Sequence, residues 1–299
     1  MNETTSTTAA IRRRSPEETF ALLGDDTRIA ILRAMGEAPE DALSFSALRE
    51  RVGTEDSGQF NYHLRKLVGS FVRKAADGYE LTYAGRQIVG AMHAGTYTAN
   101  ATVDSLPVDG ACPFCGAAIE ASYADETVST SCTSCGEWFN EFSFPPGSLD
   151  QFDGAALPLA FDRWMLHVVD GVLAGFCHTC AGRMTGRVVV GDAEDGAFAG
   201  QPAHLEFACG RCGDRVRTGG ATPVTMHPAV EGFLYEHGLD VHRQPSWAVW
   251  QDVPVPSVDV VSHDPPRLRV VVAHEGERVV ATVESDATVS DLRREPVGD

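Results

Sequence analysis

Lysine is almost missing from this chain of 299 residues: Lys66 and Lys74 stand alone among 24 basic residues, against 42 Asp and Glu, for a formal net charge of -18. So large an excess of carboxylate is read as surface solvation, not as an acidic partner-binding face. No apolar run reaches the roughly 18 residues that a bilayer-spanning helix needs, which excludes that class of membrane protein. The opening residues, MNETTSTTAAIRRRSPEE, lack the charged-then-apolar order of a secretory signal, so the expected location is the cytoplasm. Also missing are a hydrolase elbow, a phosphate-binding glycine loop and a metalloprotease helix. GDAEDGAFAG, starting at Gly191, has neither the lysine nor the spacing of a P-loop and reads as a loop between strands. The expectation is therefore a protein that is not an enzyme.

What is present suffices for two or three cored domains, since 43% of the residues are apolar. The charge is unevenly spread: residues 1–100 carry twelve Lys and Arg against thirteen Asp and Glu, and residues 101–299 carry twelve against twenty-nine. This lysine-poor, acidic balance resembles that of proteins from salt-accumulating archaea. Both lysines nevertheless fall close to one stretch of the near-neutral third.

That third is punctuated by helix signals after a tail expected to be disordered over 1–14. Ser15-Pro16-Glu17-Glu18 supplies an N-cap, a proline at the first helical position and two acids where the helix dipole favours them. Asp26 or Thr27 can cap a second helix whose Ile29, Ile31, Leu32 and Met35 form an apolar face. SFSALRERVG repeats the pattern, with Ser44 or Ser46 as cap, Leu48 and Val52 as core and Gly53 as stop.

The next helix, 56–68, contains GQFNYHLRKL. Phe60, Leu64, Leu67 and Val68 recur at i, i+4, i+7 and i+8 and face one core, which turns the polar residues outward. Phe71–Lys74 and Tyr79–Thr82 flank Asp77-Gly78 as a hairpin, and a helix over Tyr83–His93 completes a winged helix-turn-helix over 15–95. A helix fits the major groove, where Gln, Asn and Arg pair with base edges while flanking cations meet phosphates. The candidate DNA contacts are Ser57, Gln59, Asn61, Tyr62, His63, Arg65 and Lys66 on the helix, with Arg73 and Lys74 on the wing. His63 reads equally well as an ordinary polar residue of this helix.

ALLGDDTRIAILRAM, FSALRERVG and FNYHLRKL, in that order, resemble the ArsR-like winged helix transcription regulators over about residues 15–95. The resemblance implies a dimer that reads double-stranded DNA through the helix 56–68. Founding members of that family sense metals through cysteines in this domain. Here no cysteine precedes Cys112, so a thiol switch within the winged helix is not expected.

All eight cysteines fall in C-x-x-C pairs. Two knuckles make a tetrahedron of thiolates, so Cys112, Cys115, Cys132 and Cys135 are expected to hold one Zn2+, and Cys177, Cys180, Cys209 and Cys212 a second. A reducing compartment disfavours disulfides, while iron-sulfur ligation stays open on spacing alone. Four thiolates close the coordination shell, so both metals read as structural. His178, His167 and His204 read as surface or core-edge histidines.

The expected fold class is α+β and multidomain: the winged helix, a linker over 96–108, a first zinc ribbon over 109–145, a second with flanking helices over 155–245, and a β-rich segment over 246–299. Helices are expected over Ala160–Val169 and 227–238. Near the end, Leu268, Val270 and Val272, then Val279, Ala281 and Val283, alternate as a hairpin with one buried face. Residues 104–299 resemble the cysteine-rich C-terminal region of archaeal regulators with ArsR-like N-terminal domains. The expected function is DNA-binding transcription regulation, by a homodimer with an effector or protein partner still to be identified. The alternative is a protein-interaction adaptor of the transcription machinery that works through the ribbons.

Overall fold

The computed structural model describes residues 14–38, 42–135, 138–191 and 201–297, and the chain divides into two compact units, Met1–Ala99 and Asn100–Asp299. The expected tail thus lies outside the described residues except for Arg14, whose guanidinium donates to Ser70 Oγ at 2.5 Å. The glycine-rich stretch after Gly191 also lies outside them.

In the first unit every α-helix among the described residues starts on a side-chain cap. Ser15 caps α1 (Pro16–Phe20), Asp25 caps α2 (Asp26–Gly36) in place of the expected Asp26 or Thr27, which already lie in the helix, Ser44 caps α3 (Phe45–Val52) and Asp56 caps α4 (Ser57–Leu67). Each accepts from backbone N–H groups that the first helical turn leaves unpaired. A hairpin follows, β1 (Val72–Ala75) against β2 (Gly78–Leu81), and then α5 (Tyr83–His93), capped by Thr82. Leu43 extends the wing as a third, one-residue strand, exchanging hydrogen bonds of 3.0 and 2.9 Å with Tyr79. Gly78 permits this approach, because a Cβ there would stand 2.3 Å from Leu43 O.

Ile31, Leu32, Leu48, Phe60, Leu64, Leu67 and Val72 are fully buried in one core. Val68 is a correction to the expected stripe: it is exposed. The backbone leaves helical geometry there at ψ 130°, so its side chain no longer follows the row of Phe60 and Leu64.

The second unit opens with an antiparallel sheet in chain order, β3 (Val103–Ala111), β4 (Ala118–Ala124), β5 (Thr127–Cys132) and β6 (Trp138–Ser143). The expected linker is therefore too long, since β3 begins inside it. Pro107 and the polar run around it disguise a strand that is tolerated because it lies at the sheet edge. Helix α6 (Leu157–Leu173) begins three residues earlier than expected, with Pro158 in its first turn, where a proline costs no hydrogen bond. Its Leu157 and Phe161 close a small core with Tyr123, Val128 and Phe144, in which the Phe144 and Phe161 rings meet edge to face at 5.0 Å.

A second sheet follows, β7 (Met184–Val190), β8 (Ala203–Cys209) and β9 (Arg215–Gly219), then the short helices α7 (Thr222–Thr225), α8 (Pro228–Glu236) and α9 (Ser246–Asp252). The chain ends in a four-stranded meander, β10 (Ser257–His263), β11 (Pro266–His274), β12 (Glu277–Val283) and β13 (Val289–Pro296). The expected hairpin is its central pair. Leu268, Val270, Val272, Val279, Ala281 and Val283 all point into one core shared with Leu205, Phe207, Val230, Phe233 and Leu234. Helix α9 covers the open edge of β3: Trp247 Nε1 donates to Asp109 O at 2.8 Å and Gln251 Nε2 to Ala111 O at 3.1 Å. Covering an edge removes a template for unwanted pairing. Among the described residues, no helix is long and apolar enough to cross a membrane.

Candidate nucleic-acid interface and metal centres

Helix α4 is held from below by Phe60, Leu64 and Leu67, and Phe60 also meets Phe45 of α3 edge to face at 5.1 Å. This anchoring turns Ser57, Gln59, Asn61, Tyr62, Arg65 and Lys66 to solvent. Lys66 Nζ lies 5.5 Å from the Tyr62 ring centroid, so a cation and an aromatic hydroxyl share one face. At the start of the helix, the N–H groups of Gln59 and Gly58 hold the Asp56 carboxyl below its usual range.

His63 departs from the expected outward face. It is buried, with Nδ1 3.1 Å from Asp25 Oδ1, the carboxylate that caps α2. The turn that points Leu64 into the core also carries His63 inward, where it ties α4 to the start of α2. On the wing Arg73 and Lys74 are both exposed, but Arg73 Nε and Nη2 donate to Glu80 Oε2 at 2.9 and 2.6 Å. That partner was legible in the sequence, since Arg73 and Glu80 stand opposite each other across the Asp77-Gly78 turn. Lys74 makes no ion pair among the described residues.

Each set of four cysteines converges. The Sγ atoms of Cys112 and Cys135 are 3.8 Å apart and those of Cys115 and Cys132 3.4 Å; the corresponding distances at the second site are 3.6 Å for Cys177 and Cys212 and 3.5 Å for Cys180 and Cys209. Four sulfurs bonded at about 2.3 Å to one tetrahedral ion stand about 3.8 Å apart, so the cages have the size of a single metal. An iron-sulfur cluster interposes several atoms between its thiolates and needs a wider cage. The molecule thus carries two structural Zn2+ sites, formed by the eight cysteines singled out from the sequence.

Three of the knuckles share one local geometry among the described residues. The carbonyl of Cys112, Cys177 or Cys209 accepts from the N–H four residues on, at 2.8, 2.8 and 3.1 Å, and that residue is left-handed: Gly116 at φ 75°, Ala181 at φ 52° and Gly213 at φ 80°. The turn aims further N–H groups at sulfur. Those of Cys135 and Ser134 lower the Cys132 thiol to about 6, and those of Cys212 and Arg211 do the same for Cys209, again to about 6. Burial pushes Cys112 and Cys177 up instead, so each site combines a ready thiolate with one that a cation must deprotonate.

Two residues that the sequence did not single out support the second site. A Cβ on Gly182 would lie 3.0 Å from both Cys180 Sγ and Cys209 Sγ, so only glycine leaves the cage its room. Asp214, just after the last knuckle, accepts from Thr179 Oγ1 at 2.9 Å and faces His178 Nδ1 at 3.4 Å, which links the two knuckles. Of the other histidines weighed in the sequence, His167 is exposed and His204 is buried on β8.

Residues 109–289 match a family described as a domain of unknown function, DUF7351, which spans both cysteine sites, the helices around them and most of the terminal sheet. The chain belongs to this family. Residues 16–92 match a second domain of unknown function, DUF7347, which coincides with the helices and wing of the first unit. No curated protein and no solved structure matches the chain. Within the DUF7351 segment, a cleft of 670 Å³ opens beside α6, β9 and α9, lined in part by Met165, Leu166, Thr218, Trp247 and Trp250.

Proposed function

We propose that the protein is a DNA-binding transcriptional regulator of ArsR-like type, acting as a homodimer, with α4 in the major groove and the β1–β2 wing on the flanking backbone. The observation that carries this reading is the split of α4 into two faces. Phe60, Leu64 and Leu67 are fully buried, while Gln59, Asn61, Tyr62, Arg65 and Lys66 stand together in solvent. Gln, Asn and Arg have the donor and acceptor patterns that discriminate bases in the major groove, and Lys66 and Lys74 supply phosphate contacts. His63 drops out of the contact set and acts as a positioning residue through Asp25.

The two tetrathiolate shells leave no coordination position for a substrate, which fits a structural role for both metals. Their role in this reading is to hold the fold of the second unit, whose cleft is the region suited to a small effector. For a chain of this charge, affinity in high salt rests on direct readout more than on counterion release, because each phosphate contact adds about 0.9 to the log-log salt slope.

The test is selection of genomic fragments by the zinc-loaded protein in high potassium chloride, alongside the Arg65→Ala, Lys66→Ala double variant. The wild type is expected to enrich one near-palindromic motif, and the variant to lose at least about tenfold in affinity for it, as removal of one good base contact implies. Failure of the wild type to enrich any motif, or equal affinity in a folded double variant, overturns the reading.

A further inference from the structure

We infer that the second unit carries a third metal site, for a divalent transition cation, formed by His237, His274 and Glu275. One ligand atom from each of these residues lies within 4.8 Å of the other two. His237 follows α8, while His274 and Glu275 come from the end of β11 and the turn into β12, so the site joins a helix end to a strand turn that is 37 residues away in sequence.

The distances suit a metal. His237 Nδ1 stands 3.1 Å from Glu275 Oε2, and donors bonded at about 2.0–2.1 Å to one tetrahedral ion lie about 3.3 Å apart. The His237 and His274 rings approach at 5.2 Å between centroids with planes at 88°, so they converge without stacking. The other nitrogen of His237 is also placed as metal-binding histidines require: buried Nε2 faces Glu277 Oε2 at 3.4 Å. A carboxylate behind a ligating imidazole fixes its tautomer and orientation. Glu277 is in turn held by Arg294, whose Nη2 donates to it at 2.6 Å while Nη1 donates to Glu236 at 2.6 Å. Three carboxylates against one guanidinium leave the pocket electronegative, which favours a cation.

Imidazole and carboxylate donors suit zinc, cobalt or nickel rather than the softer ions that thiolates select. Three protein donors also leave room for water, so this site is open and exchangeable where the two cysteine sites are closed. Ordinary ion pairing of His237 with two glutamates gives the same static picture without a metal, and the experiment separates the two.

Protein saturated with zinc at both cysteine sites is titrated with Co2+, followed by calorimetry and visible absorption. The expected result is one further equivalent with weak visible bands and no near-ultraviolet sulfur-to-cobalt band, which rules out exchange into a cysteine cage. His274→Ala and Glu275→Gln are each expected to weaken that equivalent at least tenfold, and Glu277→Gln about 10-fold through the second layer. His263→Ala, an exposed histidine elsewhere on the meander, leaves it unchanged. Absence of a third equivalent, or its retention in a His274→Ala, Glu275→Gln variant that still holds two zinc ions, overturns the inference.

Discussion

The two cysteine modules look alike in sequence and differ in what surrounds them. The first is a four-stranded sheet with a compact apolar core of its own, around Tyr123, Phe144 and Phe161. The second is three strands laid into a much larger core, where Leu205 and Phe207 share contacts with Leu268, Val270 and the residues of α8. The same tetrathiolate chemistry therefore plays two parts. In the first module the metal compensates for a core too small to hold four strands, as it does in small domains generally. In the second it pins two knuckles to a sheet that apolar burial already supports.

The largest expected effect breaks this comparison directly. Cys112→Ser with Cys115→Ser should lose one zinc equivalent and the amide-exchange protection of β3–β6 together, since structural zinc supplies on the order of 10 kcal/mol to small metal-folded domains. Cys177→Ser with Cys180→Ser should also lose one equivalent but leave β11 and β12 protected. Equal collapse in both variants would show that the shared core does not buffer the second site.

Leu268→Ala probes the same contrast from the apolar side. Leu268 is fully buried where the meander meets β8, and its truncation should cost about 2–5 kcal/mol in urea unfolding while both zinc equivalents remain bound. A loss of zinc without a loss of stability would mean that this core serves the metal and not the reverse.

The smallest effect sharpens a detail of the knuckles. Gly116 and Gly213 occupy the left-handed position at φ 75° and 80°, whereas the second site places exposed Ala181 there at φ 52°. Ala181→Gly should stabilise the second module by about 0.5–1 kcal/mol, the relief of left-handed strain less the added freedom of glycine in the unfolded chain. A thermal melt with an unchanged or lower midpoint would count against this account of the turn.

Legibility followed the range of the interactions. The Ser15 and Ser44 caps, the Gly53 stop and the i, i+4, i+7 row of Phe60, Leu64 and Leu67 depend on neighbours within two helical turns, and they stand where the sequence put them, while the cap of α2 is one residue earlier than expected. The strand β3 was hidden because edge strands are exposed on one side and tolerate proline, so Pro107 fell in the expected linker; in the β-rich segment 246–299 only the central pair, β11 and β12, was placed, because the edge strands β10 and β13 have no clean apolar alternation. Val68 was misplaced because periodicity does not register the residue at which a helix stops.

By itself the sequence determined the α+β class, the winged helix pattern of the first unit and the membership of both four-cysteine sites, because helix periodicity and C-x-x-C spacing are local and four thiolates admit few groupings. Tertiary structure alone decided that His63 turns inward to Asp25, that the terminal sheet completes the core of the second cysteine module, and that His237 meets His274 and Glu275. Those outcomes depend on which distant side chains burial and charge bring together, and no local pattern in the chain encodes that proximity.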